Sequence, residues 1–66
     1  MKVKFMTITG EQIEISGSRR AISAIECELW QAGDGYEKEG LLACADTVRE
    51  YAHTIHTQKN NQEETE

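Results

Sequence analysis

The side chains best able to do chemistry are two histidines, two cysteines, three serines near the first helix and a scatter of carboxylates. His53 and His56 stand at i, i+3, not at the i, i+4 spacing of the HExxH zinc helix. Asp46 and Glu50 fall on the same side of a helix, but the pattern fixes no third strong ligand. The simpler reading is two exposed histidines near a helix end, where positive charge suits the helix dipole. Cys27 and Cys44 are too few for a disulfide scaffold and lack zinc spacing, so both are expected to be free thiols. Glu26 and Glu28 flank Cys27, the reverse of the positive setting a nucleophilic cysteine uses. Cys44 reads as a small core residue. Ser16, Ser18 and Ser23 suggest no Ser/His/Asp arrangement. The segment Ala32-Gly33-Asp34-Gly35 lacks the preceding strand and following basic residue of a phosphate loop. The expectation is a protein that is not an enzyme and holds no metal or cofactor.

The elements that must carry these residues are few. With 66 residues the chain makes one domain at most, burying only roughly 60% of the surface it exposes when unfolded. A composition of 38% hydrophobic and 29% charged residues is that of a globular chain. No apolar run approaches the roughly 20 residues that span a bilayer, and no signal-like stretch follows Met1-Lys2, so a cytoplasmic protein without a membrane partner is expected. The net charge of -5 argues against general nucleic-acid binding. More than half of that charge lies in Asn60–Glu66, which holds three glutamates and no base. The expected organisation is a single domain over residues 1–58 and a disordered acidic tail over 59–66.

Lys2–Thr7 and Glu11–Ile15 alternate and are rich in strand formers, which predicts a β-hairpin. A type I turn at Ile8-Thr9, with Gly10 in the left-handed bulge position, sets Phe5 opposite Ile13 and Val3 opposite Ile15. Lys4 then faces Glu14 on the other side. Ser18 is a natural N-cap and Gly33 a natural C′ residue for a first helix whose stripe is Ala21, Ile22, Ile25, Leu29 and Ala32. Glu26 falls near the rim of that stripe and Cys27 on its far side. Asp34 and Glu37 form a capping pattern for a second helix running from about Gly35 to about Gln58. Its stripe is Leu41, Cys44, Ala45, Val48, Tyr51, Ala52 and Ile55. The predicted fold is α+β, a hairpin packed on two antiparallel helices (ββαα). The second helix outruns the first, leaving Tyr51–Ile55 in need of cover, and a homodimer through this helix or through joined hairpin edges is expected.

The opening Met1-Lys2-Val3-Lys4-Phe5 strand, the Thr9-Gly10-Glu11 turn and the Ser18-Arg19-Arg20-Ala21-Ile22 helix entry resemble, in size and style over the whole chain, the small acidic orphan proteins of phages and prophages of Gram-positive bacteria, particularly bacilli. The resemblance implies a non-catalytic binding protein, commonly a homodimer, that blocks a bacterial host or anti-phage defence protein. It carries over no functional residue, because no motif aligns position by position. Trp30 and Tyr36, beside the expected inter-helix turn, read either as aromatic interface anchors or as cover for the bottom of the small core. Arg19 and Arg20 at the first helix start, and the exposed acids Glu39, Asp46 and Glu50, complete the expected partner-binding set. The alternative is a small nucleic-acid-binding regulator using Lys2, Lys4, Arg19 and Arg20.

Overall fold

Alternation in the first sixteen residues produces the hairpin. A computed structural model describes residues 1–64, in which β1 (Lys2–Met6) pairs antiparallel with β2 (Gln12–Ser16). The register is Val3↔Ile15, Lys4↔Glu14 and Phe5↔Ile13, as the alternation predicts. The Gly10 N–H donates to the Thr7 carbonyl at 3.0 Å, closing a turn over Ile8-Thr9. Gly10 follows at φ +85°, the conformation that a bulge after a type I turn demands. Lys4 Nζ lies 3.8 Å from a Glu14 carboxylate oxygen on the solvent face.

Two helices follow, α1 (Arg19–Lys38) and α2 (Leu42–Glu64), completing the ββαα order. Ser18 caps α1, its Oγ accepting from the Ala21 N–H at 3.1 Å. The first helix does not stop at Gly33. It runs through Gly33, Asp34 and Gly35 and ends at Gly40, which adopts φ +81°. There the Gly40 N–H donates to the Glu37 carbonyl and the Leu41 N–H to the Tyr36 carbonyl, a Schellman closure. The inter-helix turn therefore lies at residues 39–41. Asp34 caps nothing, and Trp30 and Tyr36 both belong to α1 instead of flanking the turn.

The glycines predict opposite responses. Gly35 has open space where a Cβ would go and an ordinary backbone, so Gly35→Ala should stabilise by roughly 0.5–1 kcal/mol. Gly40→Ala forces a side chain into the left-handed region and should destabilise by about 1–2 kcal/mol. Thermal melts of the two variants should move in opposite directions.

The second helix is the centre of the molecule. It lies against α1 along one side and against β1 along another. Its buried positions Ala45, Ala52, Ile55 and Lys59, with half-buried Val48, step by alternate threes and fours, the repeat of a two-helix seam. Val3, Ile22 and Ile55 meet in the core, with Met1, Phe5, Ile15 and Leu29 packed around them. The expected stripes are rotated. Ala21, Ile25 and Ala32 are exposed, while Glu26 is largely covered and Gly33 is buried. Leu41 and Cys44 are exposed too, so Cys44 is not a core residue.

Two expectations about α2 are corrected. Tyr51 and Ile55 are covered within the chain, Tyr51 by the Phe5 ring at 5.1 Å between centroids, and they call for no second helix. Residues 59–64, expected to begin a disordered tail, continue α2, and Lys59 is one of its buried positions. Residues 65–66 of that expected tail lie outside the described residues.

Candidate functional site

The densest polar chemistry sits in the α1–α2 seam. Glu26 and Lys59 face each other with side chains only 13% and 9% exposed, Oε1 to Nζ at 2.8 Å. Lys59 Nζ also donates to Ser23 Oγ at 2.8 Å. The other Glu26 oxygen meets His56 Nδ1 at 3.1 Å, and His56 Nε2 lies 3.1 Å from Asn60 Nδ2. Arg19 Nη1 donates to the Lys59 carbonyl at 3.4 Å. A serine beside a lysine invites comparison with a Ser/Lys nucleophile pair. Here the hydrogen bond runs from lysine to serine, opposite to what a base requires, and the lysine is held by a carboxylate. The three clefts described below and at Asp34–Lys38 lie elsewhere on the surface. The cluster is a structural brace between the helices.

Burial pushes the Glu26 carboxyl pKa up, but the Lys59 hydrogen bond and charge, the His56 ring and the Trp30 indole N–H together outweigh it and leave the pKa lowered. A carboxyl with a lower pKa folded than unfolded stabilises the fold above its unfolded value, near 4.3. That contribution is lost as pH falls through the lowered folded value. The melting temperature should therefore fall on acidification below about pH 4.3, and part of that fall should be missing in Glu26→Gln. Circular dichroism melts across the acid range check this.

A second cluster brings the helices together near their turn. Arg49 Nη2 pairs with Asp34 Oδ1 at 3.0 Å and with Glu37 Oε1. Its stem crosses Gly33, where a Cβ would come within 2.9 Å of Arg49 Cγ. Those two carboxylates raise the Arg49 pKa above its usual value.

Two of the most exposed large apolar side chains, Ile8 and Met6, lie at the hairpin tip. Ile8, 80% exposed, sits in the turn, its N–H donating to the Tyr51 hydroxyl at 3.2 Å. Beside it Tyr36, Ala43, Cys44, Thr47 and Val48 line an open apolar cleft of about 270 Å³. On its other side Met6, Thr7, Tyr51, Thr54 and Glu50 line a groove of about 300 Å³. Exposed Leu41 and Leu42 lead into this cleft's α2 wall.

Of the residues expected to bind a partner, the structure brings Tyr36 and Glu50 to the two sides of Ile8. Trp30, 40% exposed, stands midway along α1, its indole turned to Glu26. Arg19 is tied to the end of α2 and Arg20 is exposed. Glu39 caps α1 at the turn, and Asp46 is exposed on α2. None of these five lines either cleft beside Ile8. Ile8, Met6, Ala43, Cys44 and Val48 were not legible as a group. The available signal was an isoleucine at a turn position that polar residues usually take.

Cys27 is exposed, with Gln31 Nε2 at 3.6 Å from its Sγ. Among the described residues no group of three or more His, Cys, Asp or Glu is placed to hold a metal ion. No helix among them is long and apolar enough to cross a membrane. Comparisons with protein-family models, curated proteins and solved structures gave no match.

Proposed function

We propose that the chain is a non-catalytic protein-binding module that inhibits its partner by covering a surface. The observation that carries this reading is the apolar cleft at the hairpin tip, where Ile8 projects beside Tyr36, Cys44 and Val48. Clefts of this kind accept an aromatic or aliphatic anchor, and water exclusion around the anchor gives most of the affinity. Glu50 on the adjoining groove favours a partner with a basic rim. The resemblance to phage-encoded orphan proteins makes a bacterial host or anti-phage defence protein the class of partner, and the bacterial cytoplasm the compartment. Trp30 and Arg20 line neither this cleft nor the adjoining groove and are not part of this contact.

Ile8 has little to lose in the fold, so it separates binding from stability. Tagged protein would be used to retain partners from bacterial lysate, and the retained protein would then be purified and titrated directly. The expected result is that Ile8→Asp and Tyr36→Ala each weaken binding at least tenfold, with the Ile8→Asp melting curve unchanged. Retention that survives both substitutions and fails with Trp30→Ala would sink the cleft reading.

A further inference from the structure

The two outer edges of the hairpin are treated differently. Met1 and Gly17 exchange both of their backbone hydrogen bonds, and the Thr7 N–H reaches the Glu11 carbonyl. With Val3↔Ile15 and Phe5↔Ile13 between them, antiparallel alternation turns the N–H and C=O groups of Lys2, Lys4 and Met6 outward on β1. On β2 it turns those of Gln12, Glu14 and Ser16 outward.

On β1, α2 answers these groups. The Gln58 side-chain amide accepts from the Lys4 N–H at 2.7 Å and donates to the Lys4 carbonyl. Gln62 donates to the Lys2 carbonyl. A primary amide held at both ends in this way reproduces the bonds of a neighbouring strand. On β2 nothing corresponds. Among the described residues no hydrogen bond reaches the outward groups of Gln12, Glu14 or Ser16. Gln12–Ser16 contains no proline and no lysine, two usual blocks to edge pairing. Ile13 and Ile15 are only half-buried, so the inner face beneath this edge is incompletely covered.

We infer that the outer edge of β2 pairs antiparallel with the same edge of a second copy, joining two hairpins into one four-stranded sheet. The strand's own side chains make a second copy the occupant. Three two-fold registers bring two or more pairs of the outward groups together. One centred on Glu14 opposes two carboxylates, which is unfavourable. One centred on Ile15 runs each strand into the start of its partner's α1 at Ser18. The register centred on Ile13 sets Gln12 opposite the partner's Glu14 twice over, opposes no like charges and places the two Ile13 side chains together on the inner face. A two-stranded sheet, marginal by itself, becomes four-stranded. This contact does not involve the cleft at the hairpin tip and stands independently of the binding reading.

Sedimentation equilibrium of the full chain from about 1 µM to about 1 mM tests it, together with hydrogen exchange by amide. The expected result is a dimer in which the Gln12 and Glu14 amides become protected as concentration rises, while the Lys4 amide is protected throughout. Gln12→Glu sets two carboxylate pairs face to face and should weaken the dimer roughly tenfold; Gln12→Lys should tighten it by a similar factor at low salt. Glu14→Pro removes an outward N–H without touching a backbone bond to β1 and should leave a monomer. The two Gln12 variants decide the matter if the proline variant does not fold. A chain that stays monomeric across the range overturns the inference. So does a dimer indifferent to the charge at position 12, or one that Ile8→Glu dissociates while the β2 amides stay unprotected.

Discussion

Lys59→Ala should remove a large share of the fold's stability and lower its urea midpoint sharply. Truncating one partner of a buried ion pair leaves the other charge uncompensated and costs about 3–5 kcal/mol. Glu26 would be that charge, 13% exposed and left with only His56 and the Trp30 indole as partners. Ser23 would lose its donor as well. A domain of this length has a total stability of roughly 3–10 kcal/mol, so the loss removes a large share of it. The pair is not required for stability as such. Glu26→Leu combined with Lys59→Met removes both charges at similar volume and should restore a melting temperature near or above that of the original chain. Urea melts of the single and double variants measure the difference. A Lys59→Ala protein with an unchanged midpoint would show that water reaches the pair and that the brace between the helices is unimportant.

The second large effect is expected at Ile55. Among the described residues only Val3, Ile22 and Ile55 are large side chains fully removed from solvent, and Ile55 is the one on the central helix, where both other layers meet. Ile55→Ala should cost about 2–5 kcal/mol, the transfer term plus the cavity left between strand and helices. Ile55→Val should cost about 0.5–1.5 kcal/mol, because it removes a single methyl group. In so small a core there is no second layer to collapse into the space, which places the alanine variant toward the upper figure. Denaturant titration checks the ratio between the two substitutions. A ratio near one would mean that the core has already rearranged around position 55.

The register of the hairpin was legible to the residue, and its strand ends to within one. Strand alternation has a strict period of two, so a slip of one residue would expose Val3 and Phe5, and the Ile8-Thr9-Gly10 turn chemistry leaves one register. Of the helix boundaries, the Ser18 cap was legible and the others were not. Gly33 and Gly35 look like turn residues, yet Gly33 serves a different need: it lets the Arg49 stem cross α1 while the guanidinium reaches Asp34 and Glu37. Asp34 and Glu37 therefore look like caps and act as ion-pair partners fifteen and twelve residues away. The same blindness hid the end of α2. Gln58 ends the expected helix and Lys59 and Gln62 fall in the expected tail, because periodicity arguments follow apolar side chains. Their partners are Lys4, Glu26 and Lys2, distant in sequence, and no local pattern announces them. The cleft at the hairpin tip was hidden for a related reason, since it is assembled from a turn, the end of α1 and the start of α2.

The glutamine contacts on β1 also bear on the order in which the molecule is made. They join residues 54 and 60 positions apart, nearly the whole length of the chain. The hairpin turn, the serine cap and the glycine closure are local and can form within microseconds. The edge of the first strand cannot be completed until the last turns of the second helix exist and have docked. On a ribosome that strand emerges before the helix that completes it, with Lys2 and Lys4 open until the helix docks. The protein thus spends its synthesis with both hairpin edges unpaired and finishes with one of them closed.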